Sequence, residues 1–330
     1  MAQTTYSAIG TRASAYADMK ALAHQMPIEV MAQFMMAKQV PRNTTNTIKM
    51  RRANPLLPLS APAVEGVSPI PQAISYTEIS AQLQQWVSVV KITDQVADLA
   101  EDPVLSDASQ LIGEQFGETF EKIRWGVARG GASVYYANGT ARNAINTRIT
   151  LGKQRAVVRF LQSMRAGTLR EILAPSDKIS TRPIEACFVA LAHTDVAADI
   201  RDLPGFIPVA QYGSRKPTCP EEIGSVENVA YVCSPLFDAF LSAGSSTLNG
   251  MKATTGAVDV YPVVYLGKEA LFTTVLRGDS GYNIRVLNPG DIDKSDPAGQ
   301  VGFVSAKGYF AAGRANELWM CRLEVGVTDL

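Results

Sequence analysis

The residues in this 330-residue chain best suited to nucleophilic or acid–base chemistry are two histidines and four cysteines. His193 lies in Ala192-His193-Thr194-Asp195, where the nearby carboxylate could orient the imidazole as a general base. Cys187 stands just upstream. A Cys–His pair also needs a third orienting group and oxyanion donors, and no motif supplies either. The same spacing suits a histidine that buttresses a helix start, and this structural role is the preferred reading. His24 has no cysteine or carboxylate grouping beside it. Cys187, Cys219, Cys233 and Cys321 form no Cys-x-x-Cys pair, which argues against zinc. They are expected to be reduced, buried thiols.

Gly278-Asp279-Ser280-Gly281 resembles the loop around the serine of trypsin-like proteases. That chemistry needs a histidine on an upstream β-barrel, whereas His193 sits at a helix start, so a β-turn is expected. There is no Gly-x-x-x-x-Gly-Lys-[Ser/Thr] phosphate loop and no Gly-x-Gly-x-x-Gly after a strand. Between Asp94 and Glu121 stand eight acidic residues and no basic one. They are spread at mixed angles along a helix, which suits a solvated or partner-facing surface better than a metal site. No cofactor and no metal are expected.

The totals exclude some classes. Basic and acidic residues balance at 31 each, so the strong positive charge of a dedicated nucleic-acid binder is absent. Apolar residues make up 46%, the globular range. No apolar run reaches the ~18 residues of a membrane span, and Met1–Gly10 is too polar for a signal peptide. A soluble protein that stays where it is made is expected.

The elements that would position these residues follow from spacing. Residues 1–55 carry seven basic side chains against two acidic, and seven of the ten methionines. Tyr16, Met19, Ala23 and Met26 recur at helical spacing; Pro27 suits a first helical position, and Met31, Phe34 and Met35 continue the stripe. Two short helices on a basic arm are expected, packed either on a partner or on their own core. Residues 53–90 hold only two charges, Glu65 and Glu78, and five prolines. Proline at this density forbids helix and favours extended chain. Ile79, Ala81 and Leu83 alternate with polar residues as in a strand. A hairpin that projects onto another subunit is expected. Asp102 and Pro103 open a long helix over 102–129, with Leu105, Ala108, Ile112, Phe116, Phe120, Ile123 and Val127 on one face and Gly130-Gly131 as its stop. A helix over Lys153–Ala166, a buried strand over Cys187–Ala192 and a short helix capped by Thr194 follow. Beyond Gly205 short apolar runs alternate with Gly, Ser, Asn and Asp clusters, a β-rich texture. Cys321, Leu323 and Val325 alternate with Arg322 and Glu324, as in a half-buried final strand.

Several blocks in fixed order resemble a known family. They are Glu65-Gly66-Val67-Ser68-Pro69, Leu83-Gln84-Gln85-Trp86 running into Ile92-Thr93-Asp94, Glu101-Asp102-Pro103-Val104, Arg124-Trp125-Gly126-Val127 and Val134-Tyr135-Tyr136-Ala137. The stretch from His193 through Asp199, Arg201, Gly205-Phe206, Gln211-Tyr212 and Glu222-Ile223-Gly224 continues them. Together they resemble the major capsid proteins of tailed double-stranded DNA phages related to coliphage N-four. The resemblance is strong from residue 65 to about 235 and weak over the last hundred residues. It implies an α+β protein with the Hong Kong phage-type (Johnson) capsid fold. Its parts would be an N-terminal arm (1–52), an extended E-loop hairpin (53–92), a P-domain (93–204) with its spine helix, a β-rich A-domain (205–310), and a final strand (311–330) returning to the P-domain.

The function this implies is a non-enzymatic shell subunit. It would self-assemble as hexamers and pentamers into an icosahedral head, forming in the host cytoplasm and residing in the virion. It would enclose double-stranded DNA through weak non-specific contact. Partners would be a portal and a separate scaffolding protein, with a decoration protein left open. The basic arm, the hairpin tip and the acidic helix make Arg42, Arg51, Arg52, Glu65, Gly66, Asp98, Glu114 and Glu118 the candidate inter-subunit residues. Deletion of residues 2–40 is expected to leave a soluble folded core. The alternatives are an encapsulin-type nanocompartment shell and, from another class, a hydrolase using His193 and Asp195.

Overall fold

The computed structural model describes residues 29–59, 62, 66, 71–99, 104–169, 187–212, 217–277, 282–287, 289 and 297–330. The expected first arm helix, His24, Glu65, the Asp102-Pro103 helix start and the Gly278–Gly281 turn lie outside the described residues. In chain order the strands are β1 (Met36–Val40), β2 (Thr47–Ala53), β3 (Tyr76–Gln82), β4 (Gln84–Thr93), β5 (Val134–Tyr136), β6 (Phe188–His193), β7 (Phe206–Pro208), β8 (Glu222–Val226), β9 (Val229–Ser234), β10 (Tyr261–Leu266), β11 (Leu271–Leu276), β12 (Tyr282–Leu287), β13 (Val301–Arg314) and β14 (Met320–Val325). The helices are α1 (Asp94–Leu99), α2 (Val104–Arg129), α3 (Leu151–Ser163) and α4 (Ala197–Arg201).

The helix α2 organises the molecule. Its 26 residues span about 39 Å at ~1.5 Å per residue. The expected stripe holds: Ala108, Ile112, Phe116 and Phe120 are buried against Val304, Ala306 and Phe310 of β13 and Ile92 of β4. Phe120 stacks on Phe310 with ring centroids 4.3 Å apart. Gly113 costs helix stability, and Tyr282 packs beside it. Toward the C-terminus the stripe passes to a second sheet, where Trp125 and Ala128 pack with Val189, Leu191, Val232 and Val264.

The first sheet is built on the long strand β13. One edge of β13 pairs with β4 over Val301–Phe310, and the other pairs with β12 and then β11; parallel β1 lies outside β11. The second sheet has the order β5-β14-β10-β6-β9-β8-β7, with β6–β9 and β5–β14 parallel. Strands β6, β9, β10 and β14 are buried on both faces, and in β6, β9 and β10 the apolar runs are accordingly nearly continuous. The end of α2 covers one face, and α3, the turn at Thr194–Val196 and α4 cover the other through Val157, Val158, Leu161, Val196 and Ile200.

Several sequence expectations are corrected. Met31–Phe34 is a single 3-10 turn rather than a helix, and the chain then enters β1. Val30, Met31, Phe34 and Met35 sit in the core beside Trp125, so this part of the arm packs on its own subunit. The first hairpin strand, β2, lies at Thr47–Ala53, in residues read as arm; its Lys49, Arg51 and Arg52 masked the strand pattern. Helix α3 ends at Ser163 because Arg165 takes a left-handed φ of 55° and Ala166 N–H bonds back to Leu161 O. The short turn after β6 is capped by His193, not Thr194.

The final strand β14 lies inside the second sheet, between β5 and β10, while the long strand β13 carries the first. Residues 205–310 therefore divide between the two sheets. β14 is not half-buried: Glu324 is fully enclosed, with Arg142 Nη2 2.7 Å and Arg322 Nε 2.8 Å away. Paired charges replace the solvent that the alternation suggested.

Candidate assembly surface

The antiparallel pair β2–β3 runs from Thr47↔Gln82 to Ala53↔Tyr76. The limbs continue past the ladder: Asn54 N–H donates to Ser75 O at 2.9 Å, and Thr77 Oγ1 donates to Asn54 Oδ1 at 2.9 Å. At its root Val40, Leu83 and Ala311 form a small core with Ile48 and Ala81 packed against it. Beyond this root the hairpin buries neither face completely. An isolated two-stranded ribbon is marginal in water. Leu56, Leu57 and Leu59 are 55%, 80% and 86% exposed, and Ile74 and Tyr76 are exposed across from them. Such an apolar, nearly uncharged surface on a projecting element marks an interaction site.

The sheet around β13 has a second uncovered surface. Register places Val87, Val89, Lys91, Phe303, Lys307, Arg285 and Leu287 on the face opposite α2. Val87, Val89, Leu287 and Phe303 are exposed there. At the hairpin root a cleft of about 590 Å³ opens on this face, lined by Arg42, Arg285, Lys307, Tyr309 and the 43–46 turn. No carboxylate lines it among the described residues.

The candidate contact residues fall into separate groups. Arg42 lies in the cleft wall and donates through Nε to Arg277 O at 3.0 Å. Arg51 is exposed on β2 and pairs with Glu78 at 2.8 Å, a contact worth about 0–1 kcal/mol. Arg52 follows it, half-buried. Gly66 is an exposed turn residue with φ of 82°, a conformation that favours glycine. Asp98 belongs to α1, but its side chain is outside the described residues. Glu114 accepts from Gln110 Nε2 at 3.1 Å on α2, and Glu118 is exposed one turn further on. The structure thus gathers Arg51, Arg52 and Gly66 on the hairpin, and Glu114 and Glu118 on α2.

The acidic run contains one residue that faces inward. Glu121 is fully buried and accepts from Val30 N–H at 3.2 Å and Met31 N–H at 2.8 Å. Arg124 joins Glu121 and Glu29, each at 3.2 Å. Burial pushes the Glu121 carboxyl up, and the Met31 N–H and Arg124 partly offset that shift. Residues 29–31 are therefore latched onto α2 within one subunit. Sequence reading missed this latch; Glu121-x-x-Arg124 at the end of the acidic run was its only local sign.

The histidine site has a different geometry from a catalytic pair. His193 Nδ1 accepts from Asp195 N–H at 3.0 Å, so this nitrogen caps the turn. Asp195 Oδ2 accepts from Lys252 Nζ at 2.6 Å and from Tyr261 OH at 2.7 Å. Burial pushes the Asp195 carboxyl up, but those two donors outweigh it and hold it below its usual range. Burial lowers the His193 pKa and pushes Tyr261 to about 12. Cys187 is buried, and the described residues contain no group of three or more His, Cys, Asp or Glu side chains able to hold a metal.

Known proteins share this architecture. The capsid protein of Ralstonia phage GP4 superimposes with a TM-score of 0.70 over 99% of both chains at 12% identity. That of cyanophage Pam1 does so with 0.63 over 99% of both chains at 15% identity. In sequence, the chain is 25% identical over 165 residues to the major capsid protein of Pseudomonas phage KPP21. That match covers 46% of this chain and 41% of the relative, so it spans less than half of either. A family model described as phage capsid protein matches residues 76–315, most of the chain, from the second hairpin strand to the end of β13, and the chain belongs to that family.

Proposed function

We propose that this chain is the major capsid protein of a tailed double-stranded DNA phage, building an icosahedral head from hexamers and pentamers. The observation that carries the reading is the projecting hairpin. In a chain of this family, it is a ribbon whose outer end carries three exposed leucines that the described residues of its own subunit leave uncovered. In the Hong Kong phage-type scheme the hairpin is the E-loop, α2 is the spine, the β13 sheet is the P-domain, and the β6 sheet is the A-domain. The hairpin of one copy would lie on the uncovered sheet face of the next, bringing its leucines over Val87, Val89 and Phe303. Charges exposed at this contact, such as Arg285 and Lys307, offer a basic surface to Glu65, the residue before Gly66 in the sequence.

Assembly would take place in the host cytoplasm, with a portal, a scaffolding protein and the enclosed DNA as partners. The role is structural, and His193 and Asp195 stabilise a turn. Negative-stain electron microscopy and sedimentation of the purified chain with its scaffolding protein test the reading. Closed shells or ring-shaped capsomers are expected; a small soluble oligomer under all conditions overturns it. Particle contents separate the encapsulin-type alternative, since that shell would hold protein cargo and a phage head holds DNA.

A further inference from the structure

Directly after the acidic run, the sequence from Lys122 to Arg170 holds ten basic residues and no acidic one. The fold neutralises some of them with carboxylates from elsewhere. Arg124 meets Glu29 and Glu121, Arg142 meets Glu324, Arg148 meets Asp199 and Asp202, and Arg155 meets Glu227. Lys122, Arg129, Lys153, Arg159 and Arg165 form no ion pair among the described residues. Three arginines lie on or beside α3: Arg155 and Arg159 one turn apart, and Arg165 just past the C-terminus, all exposed. Between α3 and the β8–β9 turn runs a groove of about 380 Å³, lined by Arg155, Val158, Arg159, Gln162, Glu227 and Asn228. Arg155 Nε is held by Glu227 at 3.0 Å, which fixes one guanidinium at the groove edge.

We propose that the exposed face of α3, through Arg155, Arg159 and Arg165 with Gln162 and Asn228, is a sequence-independent contact for the phosphate backbone of duplex DNA. Arginine, glutamine and asparagine are the donors that phosphate contacts use. A protein partner would need a desolvated aromatic or apolar anchor near the centre of the contact, and here the exposed apolar residue, Met164, stands at the helix end. The α3 face lies across the second sheet from the end of α2, so DNA reaching it does not meet Trp125 and its cluster. With about two phosphates neutralised by Arg159 and Arg165, and Arg155 already paired with Glu227, binding is weak, in the roughly 10⁻⁴–10⁻⁶ M range of non-specific contacts. The proposal rests on the shell reading only for the source of the duplex.

The test uses the full-length unassembled subunit and a fluorescent DNA duplex, followed by anisotropy across a salt series. Each phosphate contact adds about 0.9 to the slope of log affinity against log salt. Arg159→Gln with Arg165→Gln is expected to reduce that slope by about 1.8. Arg159→Lys with Arg165→Lys keeps both charges and the slope. Lys38→Gln, on the exposed side of β1, leaves the slope unchanged. An unaltered slope in the glutamine variant overturns the proposal, as does an equal loss in Lys38→Gln. Retained duplex binding with lost particle formation also overturns it, because the face then belongs to a second copy. Particle formation is scored separately by electron microscopy, so failure of the DNA contact and failure of the shell reading give different results.

Discussion

Glu121 and His193 show how single buried groups set the stability of the unassembled subunit. Glu121 receives two backbone N–H groups and the Arg124 guanidinium in a site closed to water. Glu121→Ala leaves those donors buried without their acceptor, and is expected to cost about 3 kcal/mol in urea unfolding. A change below about 0.5 kcal/mol, the range of ordinary surface substitutions, would show that the latch carries no weight. His193 is held below its usual pKa by burial, with Asp195 opposing and Lys252 reinforcing that shift. Its unfolded pKa is about 6.5. The folded state therefore prefers the neutral ring, and the His193 contribution is complete above that pH. It is lost as pH falls through about 6.5 toward the lower folded value. His193→Asn keeps a capping acceptor and should flatten the change in subunit stability between about pH 7.5 and pH 5. Urea titrations at the two pH values check this, and an undiminished pH dependence in the variant would assign it to other groups.

The elements divide into those that stabilise the subunit and one that is held in reserve. Among the described residues, the hairpin β2–β3 is anchored to a buried cluster at Val40, Leu83 and Ala311. Leu57→Ser with Leu59→Ser should leave the subunit's unfolding within about 0.5 kcal/mol of the parent while lowering particle yield. Gly66→Val forces a β-branched residue into φ of 82°, and Glu65→Lys reverses the charge next to it in the sequence. Both should weaken particles more than subunits, as read by heat resistance of particles against melting of the free chain; an equal fall in both would place the tip on its own subunit. Much at this scale was legible beforehand. The α2 stripe has helical period over seven turns and a Gly-Gly stop, and the runs at β6, β9 and β10 are apolar and short. The ends that were missed have competing signals. β2 carries Lys49, Arg51 and Arg52, so charge hid its period of two. Arg165 ends α3 by adopting a left-handed conformation that no local residue preference announces.

At the scale of the molecule, chain order and spatial order part company. β5 lies beside β14 and β6 beside β9, pairings that join distant residues and leave no local trace in composition. For that reason the two-sheet architecture was readable as strands but not as an order. The N-terminal boundary changes in the same way. Val30, Met31, Phe34 and Met35 are core residues and β1 pairs with β11, so removing residues 2–40 would take out part of the fold. Deletion of residues 2–28 is expected to preserve a cooperative unfolding transition, whereas deletion of 2–40 abolishes it. Calorimetry of the two truncated chains decides between this and a dispensable arm. The four thiols carry a consequence for the particle after it leaves the cell. All four are buried, and burial pushes Cys219, Cys233 and Cys321 to about 12. Near pH 8 only about one in ten thousand such groups is a thiolate, the form that reacts with oxidants. A head moving from reducing cytoplasm to aerated water would accordingly acquire no disulfides between its subunits, and stored particles should show the same bands on gels with and without reductant. Its cohesion would then owe nothing to thiol oxidation throughout its life outside the host, indifferent to oxygen.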